Sequence, residues 1–155
     1  MIFDAETGLP IKQECAPDIL HDLQLIRREE NEHPGTLQEL HPRDITAAWN
    51  RLAEYRTIVT SPVSADEARD CAIEKGMALL GALQDIYFIR VKKISVAACD
   101  VCTVGSVNPG HLTPEENQLY EALQSAMFEY LTARGFKNTH DGMELSMSKP
   151  PEVKA

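Results

Sequence analysis

Apolar residues in this chain recur mostly at three- and four-residue spacing, the period of a helix buried along one side. The pattern begins only after residue 17. Gly8, Pro10 and Pro17 interrupt the segment before it and leave no period there, so residues 1–17 read as an irregular N-terminal segment. From Asp18, a residue suited to capping, Ile19, Leu20, Leu23 and Ile26 define a first helix. It turns polar at Glu29-Glu30-Asn31-Glu32 and ends by His33-Pro34-Gly35, because proline disfavours helix in the residue before it. Leu37 and Leu40 tether the connector that follows.

Pro42 suits the first turn of a second helix, where its missing N–H would have no partner anyway. Ile45, Ala48, Trp49, Leu52, Tyr55 and Val59 form its inward stripe, and Thr60-Ser61-Pro62 breaks it. Ser64-Ala65-Asp66-Glu67 then has the form of a capping box. The third helix is the longest. Ile73, Met77, Leu80, Leu83, Tyr87, Val91, Ile94 and Ala98 hold its period, while Leu79, Ile86, Ile89 and Val96 widen the apolar surface beyond one face. Gly76 and Gly81 weaken the expectation of a single straight rod, and the pattern fades between Cys102 and Gly105.

The last helix has Thr113 as cap, Pro114 in the first turn, and Glu115 and Glu116 at the positive end of its dipole. Leu119, Tyr120, Leu123, Met127, Tyr130 and Leu131 line one face, and Gly135 ends it in a left-handed conformation. Residues 136–155 are a short polar tail in which Met143–Met147 supports one strand at most. The expected fold is all-α, with four main helices in a domain over residues 18–135.

A length of 155 residues fits one domain, and 43% hydrophobic residues suffice for a core. The net charge of −9 disfavours general nucleic-acid binding, which depends on cationic side chains displacing counterions from phosphate. Met1–Glu6 lacks the basic and apolar regions of a signal peptide, and no stretch reaches membrane-spanning length, so an intracellular, cytoplasmic protein is expected.

Little in the sequence suggests catalysis. Cys99-Asp100-Val101-Cys102 is a lone CxxC without the second ligand pair a zinc site needs. It falls near a helix C-terminus, where the dipole raises a thiol pKa instead of activating it. Cys15 and Cys71 read as ordinary reduced thiols. His21, His33, His41, His111 and His140 share no spacing, and no glycine pattern cradles a phosphate. No cofactor, metal or catalytic residue is expected. Two charged clusters stand out. Arg27-Arg28-Glu29-Glu30 is either a solvated helix face or the source of a buried ion pair. Arg90, Lys92 and Lys93 interrupt the apolar helix, so either their charges reach solvent or a carboxylate such as Glu29 or Glu30 meets them.

Taken in order, four segments resemble the α-helical domain of GINS subunits, and the chain looks closest to archaeal members. They are Arg27/Arg28-Glu29 with Leu37 and Leu40, the helix around Trp49, Arg90-x-x-Lys93-Ile94, and Leu112-Thr113-x-Glu115-Glu116-x-x-Leu119-Tyr120. The resemblance covers residues 18–135 and implies a DNA replication factor without catalysis. Such subunits form tetramers of one chain or of two related chains, and they join the MCM helicase and a RecJ-family protein in a nucleoid-associated replisome. It marks Arg27, Arg28, Glu29, Arg90 and Lys93 as ion-pair candidates, and Trp49, Tyr87, Ile94, Leu119, Tyr120, Leu123 and Met127 as packing or assembly candidates. GINS subunits of the helix-first class carry a small β-rich domain after the helices. Only twenty residues follow Gly135, so that domain is expected to be absent or truncated. Two other readings stand beside this one: a free-standing helical adaptor or regulator, and a thiol or metal protein using Cys99 and Cys102.

Overall fold

The computed structural model describes residues 18–145. They form an all-α domain of four main helices, followed by a short hairpin. Helix α1 (Ile19–Glu32) is capped by Asp18, whose carboxylate accepts from the His21 backbone N–H at 3.1 Å. Helix α2 (Pro42–Thr60) opens on its proline and stops at Ser61. Helix α3 (Asp66–Val104) runs unbroken for 39 residues through both Gly76 and Gly81, a rod of about 58 Å at the usual rise. Helix α4 (Pro114–Ala133) begins in a reciprocal box: the Thr113 hydroxyl accepts from the Glu116 N–H, and the Glu116 carboxylate accepts from the Thr113 N–H. No helix among the described residues is long and apolar enough to cross a membrane.

The capping box expected at Ser64 does not form. A turn bond from the Ser64 N–H to the Ser61 carbonyl places Ser64 one residue too early, and Ala65, which has no capping side chain, is the N-cap.

Helix α3 is the spine, with a separate core on each half. Its N-terminal half packs Leu79, Ala82, Leu83 and Ile86 against Leu23 of α1 and Ala48 of α2, flanked by Ile19, Ile26, Leu52 and Tyr55. Its C-terminal half packs Ile94, Ala97, Ala98 and Val101 against Tyr120 of α4 and Leu37 of the α1–α2 connector, flanked by Leu123 and Met127. The connector and the α3–α4 loop meet in one parallel bridge, where Leu37 donates to the Pro109 carbonyl and accepts from the His111 N–H. Gly110, at φ +95°, lies so close that a Cβ there would sit 2.5 Å from the Leu37 carbonyl oxygen.

The buried line of α3 differs from the expected stripe. It runs through Ala72, Leu79, Leu83, Ile86, Arg90, Ile94, Ala97 and Val101. Ile73, Met77, Leu80, Tyr87 and Val91, expected to point inward, are exposed. The apolar surface of α3 is wider than one packing face, so periodicity alone could not say which part would be covered. Because α4 lies on only the C-terminal half, the sector from Ile73 to Val91 stays open.

The tail also departs from expectation. In place of at most one strand, β1 (Phe136–Thr139) pairs antiparallel with β2 (Gly142–Leu145), Phe136 opposite Leu145. The Thr139 hydroxyl closes the turn by donating to the Gly142 carbonyl at 2.8 Å and accepting from the Asp141 N–H. Strands this short and polar carry too little alternation to be seen in sequence. The turn lies on the end of α3, where a Cβ on Gly105 would fall 1.9 Å from the His140 carbonyl oxygen. Ser146, Met147, Cys15 and residues 1–17 lie outside the described residues.

Candidate functional site

Between the two cores sits a polar junction built on Arg90. Its side chain is 1% exposed, and all five guanidinium N–H donors have acceptors. Nε and Nη2 grip the two carboxylate oxygens of Glu116 at 2.6 and 2.7 Å. Nη1 donates to Glu30 Oε1 and to the Gln38 carbonyl, and Nη2 also donates to the His111 carbonyl. One turn further along α3, Lys93 spends its three donors on the Glu30 carboxylate, the Glu30 carbonyl and the Thr36 carbonyl. Glu30, also 1% exposed, additionally accepts from the Gln38 N–H at 3.0 Å.

Two cations thus face two carboxylates, with formal charges that cancel. A half-satisfied buried network is worse than an apolar core, but this one leaves no donor on Arg90 or Lys93 idle. Burial opposes the Glu116 charge, yet the hydrogen bonds from Arg90 and Thr113 and the Arg90 field prevail and hold its carboxyl below the ordinary range. Burial likewise opposes the Arg90 charge, and the Glu116 and Glu30 carboxylates overcome it, raising the Arg90 pKa. The junction joins α1, α3, α4 and both long connectors. Its chemistry is that of a lock: the guanidinium has no free donor with which to bind a ligand.

Of the ion-pair candidates, Arg90 and Lys93 belong to this junction and the others do not. Arg27 pairs with Asp85 at 2.8 Å and Arg28 with Glu32 at 2.8 Å, both at the surface. Glu29 is exposed, and Glu30 stands in the buried position instead. Lys92 is exposed as well. Glu116, which the sequence places at the start of α4 and in the L-T-x-E-E segment, is the member not expected as a counter-ion to Arg90. Its signal was present, since a Glu three residues after a capping Thr is placed to fold back over the helix start. The Gln38 and His111 carbonyls carry no side-chain signal at all.

The packing candidates divide in the same way. Ile94 and Tyr120 are buried in the C-terminal core, with Leu123 and Met127 partly buried against it. Trp49, Tyr87 and Leu119 are 48%, 38% and 37% exposed, and the Trp49 indole N–H donates to the Tyr87 hydroxyl at 3.4 Å. They border the open sector of α3, whose most exposed members are Met77 at 71% and Phe88 at 70%. Where α2, α3 and the start of α4 converge, Leu40, Ile45, Tyr87, Val91, Leu112 and Leu119 line a groove of about 790 Å³. Its charged rim is Glu39, Glu115 and Glu116.

Cys102 is buried and Cys99 exposed. Burial, and then the neighbouring Cys99, push the Cys102 thiol above its ordinary pKa, which disfavours a reactive thiolate. All five histidines are exposed, and no group of three potential metal ligands occurs among the described residues. No family model, curated protein or solved structure matches the chain.

Proposed function

We propose that this chain is a non-catalytic, GINS-like replication subunit that binds and activates the MCM helicase through protein–protein contacts. The observation that carries the reading is the convergence of residues from separate motif segments. Glu30, next to Arg27-Arg28-Glu29, meets Arg90 and Lys93 of the R-x-x-K-I segment, and Arg90 meets Glu116 of the L-T-x-E-E segment. Segments far apart in sequence therefore have a shared physical purpose, which is to fix three helices around one cation. A rigid rod with an uncovered apolar flank is what a scaffold subunit requires. Sister subunits would cover the sector from Ile73 to Phe88, in a tetramer of one chain or of two, and the RecJ-family protein would join through the same assembly.

The test is the solution mass by light scattering, alone and with MCM, together with MCM unwinding in the presence and absence of the protein. A tetramer that associates with MCM and stimulates unwinding supports the proposal. A monomer that ignores MCM and leaves unwinding unchanged overturns it, in favour of a free-standing helical adaptor.

A further inference from the structure

We infer that the groove between α2, α3 and the start of α4 is a docking site for a basic amphipathic helix of a partner protein. This rests on the reading of the chain as a docking subunit, though not on the partner's identity. The groove lies at the N-terminus of α4, where Tyr87 and Val91 of α3 face residues at the start of α2 and of α4. Its floor is apolar: Leu40, Ile45, Val91, Leu112 and Leu119. A volume of about 790 Å³ is in the range that accepts a few anchoring side chains.

Charge selects the occupant. The lining holds three glutamates and no lysine or arginine. Glu116 is already neutralised by Arg90, which leaves Glu39 and Glu115 as the exposed carboxylates of the lining. The nearest cation on the same helix start, Arg43, turns to Asp44 at 3.7 Å. His41 is 3.9 Å from Glu39, and His111 adds an exposed imidazole to the rim. With a chain charge of −9 behind it, the groove repels an acidic peptide or a phosphate and attracts lysine and arginine.

Backbone chemistry selects a helix over a strand. Most of the lining belongs to α2, α3 and α4, whose backbone beyond the first turn is bonded within each helix, so an extended peptide would find no continuous strand edge to join. A helix brings its own hydrogen bonds. It can set apolar residues at i, i+3 or i+4, and i+7 into the floor, with basic residues between Glu39 and Glu115. The inferred ligand class is therefore a helix with leucine-like anchors on one face and lysine or arginine along its edges.

The probe is a fluorescein-labelled helical peptide of leucine and lysine with one apolar face, titrated with the full chain and read by anisotropy. Two further peptides accompany it: a scrambled version without the face, and an analogue with glutamate for lysine. Glu39→Lys combined with Glu115→Lys reverses the rims, and Leu119→Asp charges the floor. The expected result is saturable binding of the amphipathic basic peptide, weakened about tenfold or more by either change and by raised salt. Should Leu119→Asp lower the helical content, the surface charge reversal alone decides. Absence of binding, equal binding of the scrambled or acidic peptide, or binding that both variants leave intact would overturn the inference. Light scattering on the same variants keeps the outcomes apart, since loss of peptide binding with the assembly retained concerns the groove alone.

Discussion

Arg90 and Glu30, sixty residues apart in sequence, are each 1% exposed and bonded to one another at the junction between the two halves of α3. Neither is buried without further support: Glu116 also grips the arginine, and Lys93 also pairs with the glutamate. The arginine divides its donors among Glu30, Glu116 and two backbone carbonyls, so a single side chain holds α1, α4 and both connectors against the spine.

Removing that side chain leaves the Gln38 and His111 carbonyls without their donor. It also strips the cation from Glu116, which keeps only the Thr113 N–H, and from Glu30, which keeps Lys93 and the Gln38 N–H. Arg90→Met is expected to lower the unfolding free energy by about 3–5 kcal/mol, the range for a broken buried pair. Arg90→Lys keeps the charge but cannot span both carboxylates, so it should also destabilise, though less. Arg28→Ala removes only a surface pair with Glu32 and should leave the urea midpoint nearly unchanged. Urea unfolding of the three variants measures the order. If Arg90→Met matched Arg28→Ala, the junction would not be the lock described.

The junction also predicts an acid response. The folded chain holds the Glu116 carboxyl below its ordinary range, whereas the unfolded chain restores it to about 4.3. Between those values the unfolded state binds more protons, so the stability that Glu116 contributes is full above pH of about 4.3 and is lost as pH falls through the folded-state value. Glu116→Gln should therefore be less stable than the parent at neutral pH, with a gap that closes as the solution is acidified. Urea midpoints over an acid series check this, and a gap independent of pH would count against the Arg90–Glu116 pair as its origin.

Two glycines separate backbone need from open space. Gly105 has φ +83°, and a Cβ there would collide with the His140 carbonyl, so Gly105→Ala should detach the hairpin from α3. Helical circular dichroism is expected to persist while amide exchange across residues 136–145 accelerates. Gly81 has nothing within 4 Å of a built Cβ, and Gly81→Ala should raise the monomer's stability by up to about 1 kcal/mol through helix propensity. Hydrogen exchange reads the first variant and a thermal melt the second.

Helix ends were legible because their signals are local. Asp18, Pro42, Thr113 and Gly135 each act on backbone groups within a turn, and each stands where the sequence placed it. Ser64 misled because a competing turn bond to Ser61 shifted the helix start by one residue. The buried line of α3 was less legible, since Leu79, Leu80, Leu83 and Tyr87 are all apolar and only the positions of α1 and α2 decide between them. Arg90 and Lys93 were visible as cations in an apolar helix, but the choice of Glu30 over Glu29 depends on helical phase: one residue turns the side chain by about 100°. Glu116 had two roles, as cap and as counter-ion, and only the first can be read from neighbours in sequence.

The uncovered sector of α3 supplies the most direct link to assembly. Met77 and Phe88 are the most exposed apolar side chains of that sector and make little contribution to either core. Met77→Glu combined with Phe88→Glu should leave the isolated chain's stability within about 0.5 kcal/mol per site, as surface changes usually do. An apolar interface, by contrast, would have to desolvate two carboxylates without partners, which costs far more than any contact they replace. The expected outcome is an unchanged urea midpoint for the dissociated chain and a lower mass by light scattering. If the mass is unchanged while both glutamates are tolerated, subunits meet through another face, and the exposure of this sector needs a different partner to explain it.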